Sequence, residues 1–215
     1  MKEIINKDIQ EEVISSYLIE KELKLSKREK IEKIAYHFSE IMDALELDLD
    51  DDSLGGTPGR VARMFVNESF SGLIPENKPA VSLFKNKYGY KKMLVEKDIT
   101  LYSTCEHHFV PIIGKVHVAY IPYKHVIGLS KINRMVQYYA KRPQVQERLT
   151  VQIAEALKRI LKNENVAVMI EADHLCVASR GIKDTNSLTV TASYSGKFEK
   201  ESIKNEFLSY IELKV

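Results

Sequence analysis

Two stretches with strand-like alternation and β-branched or aromatic content, KMLVEKDITLYST (92–104) and GKVHVAYIPY (114–123), follow one another with no helical stretch between them. Two stretches of helical period come next, LSKINRMVQYYAKR (129–142) and QVQERLTVQIAEALKRIL (144–161), separated by Pro143. Two further strand-like stretches follow, NVAVMIEAD (165–173) and SLTVTASYSG (187–196). Strands arriving in hairpin-like pairs, with the helices grouped between them, predict an α+β domain built on an antiparallel sheet.

The flanks are helical. Ser26 and Glu29 have the spacing of a capping box, and Ile31, Ile34, Ala35, Phe38, Ile41, Met42 and Leu45 continue as a helical stripe. His37 falls between stripe positions and reads as a surface residue. The acids and glycines of DLDDDSLGG end that helix; they lack the spacing of an EF-hand and read as a solvated loop. A second helix is predicted to open with Thr57 as N-cap and Pro58 in the first turn, followed by a loop rich in Pro, Asn and Lys. The segment 201–213 has the pattern of a terminal helix. Residues 1–25 read as a weaker helix, which divides the chain into an N-terminal extension, 1–25, and a main domain, 26–215.

Composition sets limits on function. With 215 residues, 44% of them hydrophobic and 29% charged, the chain can build a proper core. Thirty-two basic and 30 acidic residues leave a net charge of +2, which makes no electrostatic case for nucleic acid or an anionic membrane as partner. No apolar run approaches the about 18 residues needed to span a bilayer. The polar, acid-containing start matches neither a signal nor a transit peptide, so the expected location is the cytoplasm.

Only two cysteines occur, and both stand beside histidine: Cys105 in STCEHHFVP and Cys176 in ADHLCVASRG. A reducing compartment argues against a disulfide. Two readings remain open, a pair of buried apolar thiols or metal ligands. Under the second, the C-x-x-H spacing of Cys105 and His108 lets a thiolate and an imidazole turn onto one ion, and Cys176 could complete a three-ligand site suited to zinc. Three protein ligands leave a coordination position for water, and His107 and His174 would be free to carry protons.

Arginine is scarce, eight against 24 lysines. Arg60, Arg134 and Arg180 stand near helix starts or strand ends, and Lys131 shares a helical face with Arg134. Each alone reads as surface solvation; together, beside a candidate metal site, they suggest an anionic substrate held by side chains. There is no Walker A pattern, no G-x-G-x-x-G after a strand, and no kinase motif set. Gln146 and Glu147 open a helix, where two roles are open to the acid: favouring the helix dipole, or accepting two N–H bonds from a base edge.

The motifs TPGRVARMF, STCEHHFVPIIGKVHVAYIP, GLSKINRMV, KRPQVQERLTVQIAEAL and DHLCVASRGI…SLTVTASYSGKF, in this order and spacing, closely resemble GTP cyclohydrolase I over roughly residues 30–200. The resemblance implies conversion of GTP and water to formate and 7,8-dihydroneopterin triphosphate, the entry to folates and other pterins. It implies zinc held by Cys105, His108 and Cys176, with His107 and His174 as catalytic histidines. It places Glu147 at the guanine with Gln146 beside it, Ser130 near the ribose, and Lys131, Arg134, Arg180 and Arg60 around the triphosphate. Metal, water and proton carriers would converge on C8 of the guanine. The implied architecture is the tunnelling fold, an antiparallel sheet with helices on one side. Its subunits form toroids, usually a decamer of two stacked pentamers with sites at subunit interfaces. Two departures, Gly59 for a bulkier residue and Pro143 for leucine, touch no chemistry. A non-catalytic sensor of the same fold would lack one or more of Cys105, His107, His174 and Glu147, and all four are present.

Overall fold

The structure, a computed structural model, describes residues 25–213. The chain divides into two compact units, Met1–Pro75 and Glu76–Val215. The helix expected in residues 1–25 lies outside the described residues except for its last position.

In the first unit, helix α1 (Lys27–Ala44) begins with the expected capping box. The Glu29 N–H donates to Ser26 Oγ at 3.2 Å, and the Ser26 N–H donates to the Glu29 carboxylate at 2.7 Å. Along the stripe, Met42 is buried, Ile31, Ile34, Ala35 and Phe38 are half-buried, and Ile41 and Leu45 are exposed; His37 is exposed as expected. Helix α2 (Thr57–Met64) starts one residue earlier than the sequence suggests. Gly56 is its N-cap, and Thr57 is the first helical residue. The reason is an upstream turn: Asp51 Oδ1 accepts from the N–H groups of Ser53 and Leu54, and the Leu54 carbonyl accepts from Thr57. The chain therefore enters the helix already bonded, without a side-chain cap.

The second unit is the predicted α+β domain. Strands β1 (Leu83–Lys85), β2 (Leu94–Cys105), β3 (Pro111–Tyr120) and β4 (His125–Ile127) lead into helix α3 (Leu129–Ala140). Strand β5 (Pro143–Gln144), helix α4 (Gln146–Leu161), strand β6 (Val166–His174), the short helix α5 (Leu175–Ala178), strand β7 (Thr189–Tyr194) and helix α6 (Glu201–Glu212) follow. Five strands form the main sheet in the order β5-β2-β3-β6-β7, antiparallel except for β5, which runs parallel to β2. β1 and β4 pair separately. The sequence shows none of β1, β4 and β5, because pieces of two or three residues are too short to carry a period and pair only through their backbones.

Alternation decides which side chains face the helices. On β2 the buried residues are Ile99, Leu101, Ser103 and Cys105, with Thr100 and Tyr102 exposed between them. These join Ile112, Val116, Val118 and Tyr120 of β3 and Val168 and Ile170 of β6. Together they pack against Ile132 and Val136 of α3 and Leu149, Ile153 and Leu157 of α4. Full burial of each such side chain contributes about 1.5–3 kcal/mol. The expectation of helices on one side only is corrected here: α6 lies on the opposite face. Phe207 joins Phe198 and, from β3 and β6, Ala119 and Ala167, which alternate out of the first cluster. Lys97 fixes that helix by donating to the carbonyls of Ile211 and Leu213 at its C-terminus. Among the described residues no helix is long and apolar enough to cross a membrane.

Candidate active site

Strand register brings the two cysteine segments together. Ser103 of β2 pairs with Ile112 of β3, and Ile112 pairs with His174 of β6. Residues in one row point to one face, so His174 and Ile112 share the helix-covered side. Cys105, two residues beyond Ser103, ends on the same side. The loop between β2 and β3 is closed at Cys105: its N–H donates to the Val110 carbonyl at 2.8 Å, and its carbonyl accepts from Phe109 at 2.9 Å. Phe109 takes a left-handed conformation, φ 55°, to complete the turn.

The sulfurs of Cys105 and Cys176 and a ring nitrogen of His108 lie within 4.8 Å of one another. Ligand atoms about 3.8 Å apart are what tetrahedral bonds of about 2.3 Å require, so the trio is close to the spacing zinc imposes. Cys105 is buried, Cys176 half-buried and His108 exposed. Burial, and then the adjacent Cys105, push the Cys176 thiol up from its ordinary value. Two crowded thiols resist ionising together; a cation between them reverses that, because a coordinated thiol is held deprotonated. The donor set and its crowding therefore fit a metal ion.

Both candidate proton carriers stand beside this cluster. His107 is exposed, with Nδ1 3.9 Å from Cys105 Sγ and Nε2 3.8 Å from a Glu106 oxygen. His174 is half-buried, and its Nε2 is 2.7 Å from Gln146 Oε1. The Gln146 amide nitrogen donates to the carbonyls of Ile170 and Thr189 and to Thr191 Oγ1, at 3.1, 3.0 and 3.1 Å. With that end committed as donor, Oε1 can only accept, so His174 Nε2 carries the proton. In the neutral ring Nδ1 is then the free base. Burial holds the His174 pKa below its ordinary value, against the opposing charges of Glu147 and Asp173, which favours that neutral ring at neutral pH.

The remaining expected residues are placed as follows. Glu147 is exposed on the first turn of α4. Gln146, expected beside it at the base, instead points inward with 1% exposure and its amide spent on protein partners. Successive helical side chains diverge by about 100°, so one of the two faces the sheet. Arg180 donates to His108 Nε2 at 2.7 Å, which sets a guanidinium against the cluster. Ser130, Lys131 and Arg134 lie on the first turns of α3, and among the described residues no hydrogen bond or ion pair joins their side chains to the cluster. Arg60 belongs to the first unit, where its Nη2 donates to the Ser53 carbonyl at 2.5 Å and to Thr57 Oγ1 at 2.8 Å. Sequence reasoning missed Glu106 and Arg148, whose carboxylate and guanidinium meet beside the ligand loop. The only signal was position: one lies inside the CEHH run, the other next to Glu147.

Two thiols and an imidazole around one point, flanked by two imidazoles able to move protons, are the equipment of a hydrolytic enzyme. Comparison with known proteins agrees in class and narrows it. Residues 34–212 match the family described as GTP cyclohydrolase I. GTP cyclohydrolase 1 of Flavobacterium johnsoniae is 59% identical over 189 residues, which span 88% of this chain and 85% of that protein. The protein of the same name from Haemophilus influenzae is 52% identical over 188 residues, 87% of this chain and 86% of its own. That of Yersinia pseudotuberculosis is 55% identical over 177 residues, 82% and 80%. Among solved structures, an archaeosine synthase QueF-Like in the apo form aligns at TM-score 0.41 and 21% identity over 48% of this chain and 93% of that one, too distant to carry an argument. The chain belongs to the GTP cyclohydrolase I family, and it is a hydrolase.

Proposed function

We propose that the protein hydrolyses GTP to formate and 7,8-dihydroneopterin triphosphate with zinc bound to Cys105, His108 and Cys176. The observation that carries this is the convergence of those three ligand atoms within 4.8 Å, with His107 and His174 beside them. When bound, zinc supplies Lewis-acid chemistry and brings the pKa of a coordinated water to about 7.

The chain's own groups do the rest. His174, with Nε2–H tied to Gln146, takes a proton at Nδ1 from the water that adds to C8 and gives it to the ring nitrogen as the C8–N bond opens. His107, exposed at the mouth of the loop, exchanges protons with solvent. Glu147 accepts two N–H bonds from the guanine edge, a use supported by its exposure one residue from the partner of His174. Arg180, already against His108, holds phosphate together with Lys131 and Arg134, and Ser130 serves the ribose. Gln146 acts through His174 rather than on the base.

We further infer a tunnelling fold, a homo-oligomer of toroidal form, two stacked pentamers, and a cytoplasmic location. Family membership supports these readings. Incubating the zinc-loaded protein with GTP, then measuring formate and the fluorescence of the oxidised pterin, tests the activity. Equal amounts of both products are expected. Absence of both from protein that holds zinc would rule it out.

A further inference from the structure

Helix α4 begins with three consecutive polar residues that serve different neighbours. Gln146 holds His174, Glu147 faces outward, and Arg148 turns to the loop that carries Cys105, His107 and His108. The Arg148 side chain is only 13% exposed, so its contacts are not those of a solvated surface cation. Its Nη2 donates to the Glu106 carboxylate and to the Pro143 carbonyl, the latter at 3.1 Å, and its Nε donates to Gln144 Oε1 at 3.0 Å.

Those acceptors bracket the ligand loop. Glu106 stands between Cys105 and His107, and its backbone N–H donates to the Gln144 carbonyl at 3.1 Å. Pro143 and Gln144 form β5, paired with Thr104 and Cys105 at the end of β2. Gln144 is itself pinned, its amide donating to the Tyr139 carbonyl and to Gln152 Oε1, both at 2.9 Å. The other Glu106 oxygen faces His107 Nε2 at 3.8 Å. One guanidinium thus ties the loop's central acid, the strand beside the loop and the helix behind it into a single frame. The planar fork matters: it reaches three acceptors on Glu106, Pro143 and Gln144 at fixed angles, which a lysine ammonium on a flexible stem cannot reproduce.

We infer that Arg148 is a positioning residue for the reaction, its fork holding Glu106 so that Cys105, His107 and His108 keep the geometry that metal binding and proton transfer need. This rests on the proposed metal reading of the same cluster. Partners behind metal ligands are worth about 10–100-fold in metal affinity or activity in known sites, and Arg148 reaches the ligands through the backbone of Glu106.

The test uses the full chain loaded with Co2+, whose thiolate charge-transfer absorption reports ligand geometry. Wild type, Arg148→Gln, Arg148→Lys and Glu106→Gln are compared by that band and by the rate at which a chelator strips the ion. The kcat and KM for GTP and the melting temperature of the metal-free protein are measured beside them. The expected result for Arg148→Gln is an altered band, stripping about 10–100-fold faster, and a lower kcat at a KM within about twofold of wild type. Glu106→Gln should follow it, and Arg148→Lys should show the same changes to a smaller degree. A merely structural role would lower the melting temperature and leave the band and stripping rate of the folded protein alone; that outcome overturns the inference. If Arg148→Gln does not fold, an unchanged band and stripping rate in Arg148→Lys overturns it equally. Wild type that takes up no cobalt brings down the metal reading and this inference with it. Wild type that binds cobalt beside indifferent variants brings down this inference alone.

Discussion

The two segments that supply the candidate metal ligands are built differently. The first, Cys105–Val110, is a loop between strands, closed by backbone bonds at Cys105 and clamped from outside through the Glu106–Arg148 ion pair. Its histidines are exposed. The second, His174–Ala178, leaves the end of β6 and turns at once into a short helix. Its histidine is half-buried and held by one neutral amide, Gln146. A charged clamp serves the loop with exposed histidines, and a neutral one serves the half-buried histidine. A neutral amide orients the ring without adding charge, whereas a carboxylate in its place would pull the His174 pKa up. Under the proposed function both segments supply ligands, and the second also keeps one base neutral and oriented.

The most severe break of this comparison is the loss of a ligand common to the cluster. Cys176→Ser is expected to bring zinc from about one per chain to near none and to abolish turnover, as measured by metal analysis and pterin formation. Full zinc retention would remove Cys176 from the ligand set. Next, Gln146→Leu separates the two duties. Zinc content should stay near wild type while kcat falls about tenfold or more, because His174 loses its orientation and part of a proton-transfer advantage of about 10²–10⁴. Stability should fall by about 1–3 kcal/mol, since the His174 N–H and three acceptors lose their partner. An unchanged kcat would mean the bond to His174 is packing only.

A third variant attacks the distance between the segments. Gly114 pairs with Ala172, two residues from the Ile112–His174 pair. A Cβ at Gly114 would lie 2.1 Å from the Glu171 carbonyl oxygen and 2.5 Å from Ala172 Cα, backbone that cannot swing aside. Gly114→Ala should therefore cost about 1–3 kcal/mol or more in a urea titration and weaken metal binding in step. Loss of stability with undisturbed metal affinity would show that the segments keep their geometry without this stretch of the ladder.

The smallest effect is pH dependence at His117, buried on β3 between the strands that end in the two segments. Burial pulls its pKa down, while Glu171 of β6 and Asp98 of β2 pull it up and Lys115 adds to the lowering. The net shift is downward, so the folded state keeps the ring neutral. The unfolded chain takes up a proton as pH falls through about 6.5. This contribution to stability is therefore complete above about pH 6.5 and is lost as pH falls below it, by at most about 1.4 kcal/mol per pH unit. Comparing unfolding free energies at pH 7.5 and 5.5 in wild type and His117→Gln checks it. An equal acid-side loss in both proteins would assign the effect to other groups.

Much of this molecule is legible in its local sequence pattern. The capping box of Ser26 and Glu29, the two helices α3 and α4 and the four long strands follow the local pattern, although α3 ends two residues before the helical stretch does and α4 begins two residues after, where Pro143 and Gln144 pair as a strand instead. Each depends on neighbours within one turn or one alternation, which the sequence states directly. The same holds for Cys105 and His108, whose spacing is a property of one loop. Other features depend on contacts between distant residues: the parallel pairing of β5, the placement of α6 on the second face, the inward turn of Gln146 and the meeting of Arg148 with Glu106, 42 residues apart in the chain. No local period encodes such pairs. The sequence by itself determined which chemical groups are present and on which kind of element each sits. Tertiary structure decided which nitrogen of His174 faces Gln146 and which guanidinium meets Glu106, because both follow from strand register and helix rotation, and those are settled only when the apolar faces pack.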